Sequence, residues 1–349
     1  MKNLSSHLRP YRWNILLAVL AMAISAGSDL GLPLLLAQIV NVGLYQDDLA
    51  VVLRLGGWML ALALLGGGFA LLNSYLSAQV SANVGRTLRA EIFDKVESFS
   101  PAESGMFGTA SLITRTTNDV TQVQMLLTMG IRMICYAPIM GIGGIVMAVG
   151  KSVSMTWIIA VGVVILIGLV LAIFLIAMPK FKLVQKLVDK INSVARENLT
   201  GINVVHAYNA EDYQNEKFEK GNVTLMKTQL FNQRAFALLM PSVTLAMNAL
   251  SLVIYWVGAA LVNNVPSADA ALRLTTFSDI VVFGTYATYV IMSIMMMVMI
   301  IMLIPAAQVS AQRINAVLDT GLSLREGTKT DAPEKGTVEF RDVSFHYPS

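Results

Sequence analysis

The chain has 349 residues, 55% of them hydrophobic and 13% charged, with a formal net charge of +3 at pH 7; soluble domains run nearer about 45–50% and 25%. That balance argues against a soluble domain, and the small net charge gives no reason to invoke nucleic acid. One cysteine, Cys135, rules out a disulfide within the chain, and His7, His206 and His346 are too scattered for metal-ligand spacing.

Six apolar runs are predicted to span a bilayer as helices: 15–40, 51–76, 131–149, 154–178, 238–262 and 279–305. Each is long enough to cross a hydrocarbon core of ~30 Å, and a soluble all-α core would need polar faces that these runs lack. The first follows Lys2, Arg9 and Arg12 and passes through AMAISAG, which imitates a signal peptide with a small-residue cleavage site. Its apolar character continues through 30–40, beyond the ~7–15 residues of a signal-peptide core, so it is expected to be an uncleaved span. Pro33, Pro138 and Pro305 are expected to interrupt their spans.

Charge orients the spans. The N-terminal stretch carries the three basic residues above, the second connection carries Arg86, Arg89, Lys95 and Arg115, and the fourth carries Lys180, Lys182, Lys186, Lys190, Arg196, Lys217, Lys220, Lys227 and Arg234. The opposite side offers Asp47 and Asp48 with Arg54, and Lys151. The excess of Lys and Arg places both termini and both long connections in the cytoplasm.

Those long connections keep apolar residues at three- and four-residue steps over 77–98, 112–130, 180–208 and 212–233, so they read as helical continuations of the spans. About 20 extra residues carry a helix about 30 Å further. Each pair of continuations would turn at a breaker, SPAESGMFG (100–108) in one and HAYNAED (206–212) in the other. Past Leu318 the segment 319–336 is polar, with Pro333 and three glycines, and reads as a linker. In TVEFRDVSFHYPS (337–349), Val338, Phe340, Val343, Phe345 and Tyr347 mark two short alternating strands. Strands this short bury no core alone; they would either join a sheet supplied elsewhere or, as favoured here, begin a soluble domain continuing past Ser349.

Four segments together resemble the ATP-binding-cassette (ABC) exporters of the six-helix half-transporter type: LRPYRW (8–13), similar to the elbow helix; TASLITRTTNDVTQVQ (109–124); IRMICYAPIMGIGGIVMA (131–148), similar to the third span of heterodimeric multidrug exporters; and SAQRINAVLD (310–319) followed by VEFRDVSFHYP. The resemblance implies an all-α membrane protein of six transmembrane helices with long cytoplasmic extensions, the type I exporter fold, and a short β stub. It implies a transmembrane domain over 1–319, a linker over 320–336 and the start of a nucleotide-binding domain over 337–349. The turns carrying Pro101, Glu103, Met106 and Phe107, and Tyr208, Asn209, Glu211 and Asp212, would be coupling helices docking on nucleotide-binding domains. Tyr347 would stack on adenine. ATP and Mg2+ would bind the full-length protein through a G-x-x-x-x-G-K-[ST] loop that this sequence lacks. The implied partner is a second half-transporter, with a heterodimer favoured and a homodimer open, in a bacterial inner membrane. The implied cargo is a hydrophobic or amphipathic small molecule moved outward by alternating access.

Charged residues inside spans are functional candidates by default. Asp29 in the first span is placed to meet a cation, and Arg132, near the cytoplasmic end of the third, would either line a cavity or snorkel to the interface. Trp256, Tyr286, Tyr289, Met292 and Met296 are candidates for contact with varied apolar ligands. Asp279 reads as interfacial. Two rival classes stay open: an ion-gradient permease or channel, and a membrane-anchored interaction module. A phosphate loop in the gene beyond Ser349 would separate both from an exporter.

Overall fold

The computed structural model describes residues 6–45, 48–323, 336 and 338–344, with the side chain of Leu44 excepted. Among the described residues, six helices are long and apolar enough to cross a membrane: α1 (Ser6–Gly43), α2 (Leu49–Glu97), α4 (Thr109–Lys151), α5 (Val153–Thr200), α7 (Glu211–Asn263) and α8 (Ala270–Leu318). Two short helices join consecutive long ones, α3 (Pro101–Phe107) between α2 and α4 and α6 (Ile202–Ala207) between α5 and α7. The chain is thus an all-helical, multi-pass membrane protein. At 49 residues, α2 and α8 each run about 70 Å, more than twice the ~30 Å hydrocarbon thickness.

The helices continue through Pro33, Pro138, Pro179 and Pro305, so Pro33, Pro138 and Pro305 do not end the helices they lie in. In a membrane bundle, neighbouring helices and small local adjustments absorb the freed carbonyl. The break inside α7 falls at Leu238, where Pro241 lacks an N–H and its ring crowds the carbonyl four residues earlier. Among the described residues of 338–344 no strand forms, and Val338, Phe340 and Val343 are 81%, 79% and 64% exposed. A strand needs partner backbone, and none is found among the described residues. Residues 345–349 and 324–335 lie outside the described residues, Tyr347 among them.

The chain divides into two units, Met1–Gly144 with Met292–Ser349, and Ile145–Ile291. In the first, α1 packs closely on α2 through small residues. Ala18, Ala21, Ser25 and Ser28 are buried, and a Cβ on Gly66 would lie 2.9 Å from Ser28 Cβ. Such residues let helix backbones approach where lipid supplies no hydrophobic drive. The buried Asn73 donates from Nδ2 to the Ala18 carbonyl at 2.8 Å, adding a polar tie.

Beyond the apolar spans, the first unit builds a conventional hydrophobic core. Val80, Val84, Leu88 and Ile92 of α2 meet Leu112, Val120, Val123 and Leu127 of α4 and Ala311, Ile314 and Val317 of α8. Leu8, Tyr11 and Ile15 of α1 cover its flank, which explains why an apolar-aromatic stretch precedes the first span. At the crossing of α2 and α4, Ser81 Oγ donates to the Gln124 carbonyl at 2.8 Å, and Gln124 Nε2 donates back to the Ser81 carbonyl at 3.2 Å. Arg89 donates to Gln124 Oε1 at 2.9 Å. The Gln124 side chain lies over Gly85, and any Cβ there would collide with it.

In the second unit, α5 and the first part of α7 form an antiparallel arm. Phe181 meets Phe236 edge-to-face at 5.5 Å, and Lys217 pairs with Glu197 at 2.9 Å. At the other end of this unit Lys151 pairs with Asp279 at 2.8 Å. Asp279 lies inside a helix that starts at Ala270, nine residues before the predicted span.

Gly85→Val should displace the Gln124 side chain and break its two side-chain hydrogen bonds, to the Ser81 carbonyl and from Arg89, costing about 1–3 kcal/mol. Thermal unfolding of the purified protein checks this, with Gly68→Val, which has open space around it, expected to leave the transition unchanged.

Candidate functional site

Within the first unit, α1, α2, α4 and α8 line an open cavity of about 380 Å³. Asp29 enters from α1, one turn beyond Ser25 and two beyond Met22, so the three share a helix face. From α4 come Arg132, Met133 and Tyr136, and from α8 comes Met296. The α2 wall is Gly66, Gly67 and Ala70, whose lack of side-chain bulk leaves the space open. The Tyr136 hydroxyl donates to Asp29 Oδ2 at 2.8 Å, fixing the carboxylate against α4.

Three of the residues singled out from sequence, Asp29, Arg132 and Met296, therefore meet in one place. Arg132 is exposed, one turn from Tyr136 and in the same cavity lining as Asp29. Tyr136 escaped sequence reasoning, although its i+4 spacing from Arg132 put both on one helix face. The other candidates lie elsewhere. Trp256 is 76% exposed, Met292 is 46% exposed, and Tyr286 is fully buried against Tyr289 at 6.4 Å between ring centroids.

The second group of sites is the pair of turns at the polar ends of the long helices. In α3, Ser100 and Glu103 form a reciprocal capping box behind Pro101 at the first helical position. The Glu103 carboxylate accepts the Ser100 N–H at 2.7 Å, the Ser100 hydroxyl, and the Ser323 N–H at 2.8 Å. Glu103 is only 5% exposed, so it faces inward and ties the turn to the segment after α8. The Ser100 hydroxyl first, then Ser323, pull its carboxyl pKa from 4.5 to about 2. Pro101 and Met106 face outward, Met106 at 74% exposure. Phe107 stacks on Phe99 at 5.8 Å, and the Arg115 guanidinium sits 4.7 Å from its ring centroid.

Arg115 also donates to the Arg313 carbonyl of α8 at 2.7 Å. It opens a wide π-turn, Arg115–Asp119, that closes on buried Asp119. Ser310 of α8 donates to Asp119 Oδ1 at 2.9 Å. The turn after α2, the start of α4 and the end of α8 are thus joined by polar contacts as well as by the apolar core.

The second turn differs in plan. α5 ends at Gly201, earlier than the expected breaker at 206–212. After α6, Asn209 takes a left-handed backbone with φ 50°, a conformation Asn tolerates better than most residues. His206 Nδ1 lies 2.8 Å from Glu211 Oε1 across that turn. The Glu211 carboxyl is held below its ordinary range, first by its own backbone N–H and then by His206. Tyr208 is 81% exposed, and Asp212 is also exposed.

The family profile of the ABC transporter transmembrane region matches residues 15–294. An uncharacterized ABC transporter ATP-binding protein of Mycobacterium tuberculosis is 33% identical over 99% of this chain and 58% of its own length. The uncharacterized ABC transporter ATP-binding protein YfiB of Bacillus subtilis is 33% identical over 100% of this chain and 59% of its own length. An ATP-dependent lipid A-core flippase of Pseudoalteromonas translucida is 22% identical over 100% of this chain and 58% of its own length. The chain therefore spans less than two thirds of these relatives.

Because the Glu103 pKa is lowered on folding, its contacts contribute fully above pH 4.5 and are lost as pH falls through about 2. Hydrogen exchange at the Ser100 and Ser323 amides should show protection kept at pH 5 and lost toward pH 2 (about). Glu103→Gln should weaken that protection at neutral pH.

Proposed function

The chain belongs to the ABC transporter transmembrane region family, and we propose that it is the membrane-spanning part of a half-transporter that exports hydrophobic or amphipathic compounds by alternating access. In this reading residues 1–319 are the transmembrane domain, 320–336 a linker and 337–349 the start of a nucleotide-binding domain. Both termini and both turns lie in the cytoplasm of a bacterial inner membrane, on the side favoured by the Lys and Arg distribution. Two such halves, preferably unlike, enclose the path.

The observation that carries the proposal is the placement of α3 and α6 at the far ends of long, packed helical arms, with Met106 74% and Tyr208 81% exposed at their tips. A membrane anchor needs no such arms. Rigid arms ending in outward-facing apolar side chains suit a device that takes up movement from a partner domain and delivers it to the spans. The sequence holds no G-x-x-x-x-G-K-[ST] loop, and no hydrolytic step is assigned to its residues. Their task is to convert domain closure into a change of cavity access. Nucleotide does this only if it has different affinity for the two arrangements. Asp29, Arg132 and Met296 line the proposed cargo cavity.

The full-length protein with its partner half, reconstituted in vesicles, tests this. Transport should require ATP, and the double variant Met106→Ala with Tyr208→Ala should lower it about tenfold while nucleotide binding is kept, the loss of ~1–2 kcal/mol expected when central interface anchors are truncated. Equal transport without nucleotide, driven by an imposed proton gradient, would favour a permease and overturn the proposal.

A further inference from the structure

The cavity offers two opposite charges to whatever fills it. Asp29 and Arg132 both line it, yet they do not pair with each other among the described residues. Arginine stays protonated in proteins, and a charge held within a membrane span needs a counter-charge or water. Tyr136 takes Asp29 Oδ2, which orients the carboxylate and leaves Oδ1 for a second donor. Around these polar groups stand the thioethers of Met22, Met133 and Met296, which adapt to varied apolar shapes.

From this juxtaposition we infer that the cavity recognises amphiphiles bearing both a cationic and an anionic group, the cation toward Asp29, the anion toward Arg132 and the hydrocarbon among the methionines. This rests on the cavity being the cargo site proposed above, and it narrows the cargo from any hydrophobic compound to a zwitterionic one. A purely cationic ligand leaves Arg132 without a partner, and a purely anionic one sets its charge beside Asp29. Once a ligand fills the cavity and displaces its water, a charge left unmatched is penalised more heavily than a matched one is rewarded. The guanidinium fork also suits a phosphate or carboxylate oxygen pair.

Equilibrium binding to the full-length protein with its partner half, in nanodiscs of lipid with uncharged headgroups, tests the inference. Three probes share one tail: dodecylphosphocholine, dodecyltrimethylammonium and dodecyl phosphate. The zwitterion should bind about tenfold tighter than either the purely cationic or the purely anionic probe, the scale of one charged hydrogen bond. Asp29→Asn should remove its advantage over the anion, and Arg132→Gln its advantage over the cation. The wild-type ranking needs no variant, so it stands even where a substituted protein fails to fold. Equal affinities, or a preference for the cation that survives Arg132→Gln, would overturn the inference. Exchanging the nanodisc lipid for phosphatidylethanolamine separates two sources of the same chemistry: competition with dodecylphosphocholine identifies membrane phospholipid as occupant, and undiminished binding identifies a soluble amphiphile. Because binding is read without nucleotide, loss of the ranking with ATP-dependent transport intact defeats only this inference. Nucleotide-independent transport with the ranking intact defeats only the exporter proposal.

Discussion

Hydrocarbon supplies no water to satisfy a free backbone N–H or C=O, and nearly every feature of this chain follows from that constraint. It explains why the helices continue across their apolar stretches, with the break near Pro241 confined to the edge of its span, and why Pro33, Pro138 and Pro305 leave the helix intact. It also explains where breaks are permitted. Gly201, the turn at Asn209 and the α3 segment all fall at the polar ends of the long helices, where water can meet an unpaired carbonyl. Helices forced to be continuous become rigid rods, and rods longer than the bilayer is thick carry their ends well away from it.

Two kinds of packing share the work along these rods. Inside the apolar spans lipid competes with protein for apolar contact, so α1 and α2 are joined by small residues and by the Asn73–Ala18 hydrogen bond. Past the spans, water restores the hydrophobic drive, and the core of α2, α4 and α8 there resembles that of a soluble bundle, with Val80, Val84 and Ile92 fully buried. Arg115, Asp119 and Glu103 then fasten the turn and the segment after α8 to that core. The cavity containing Asp29 and the turn containing Glu103 therefore belong to a single packed unit, which is what transmission between them requires.

Much of this was legible in the sequence because hydropathy and helical periodicity are local. The six helices, their extensions and the approximate turns all follow from spacing alone. The misses share a cause: they depend on neighbours distant in the chain. Pro33 and Pro138 break an isolated helix but not a packed one. Glu103 reads as a surface acid of a docking turn until Ser323, 220 residues away, is seen to donate to it. Val338, Phe340 and Val343 carry a strand pattern whose pairing partners are not among the described residues. Asp29 and Arg132 were visible as charges in spans, whereas their sharing of one cavity, and the part played by Tyr136, are properties of the packed bundle.

The central claim is that the arms make access to the cavity depend on nucleotide. Met133 lines that cavity, so a cysteine at this position, in a background with Cys135→Ser, reports access through reaction with a membrane-impermeant thiol reagent. In the full-length protein with its partner half, alternating access predicts labelling from the cytoplasmic side without nucleotide and from the opposite side once ATP is trapped. Labelling from the same side in both conditions would contradict it.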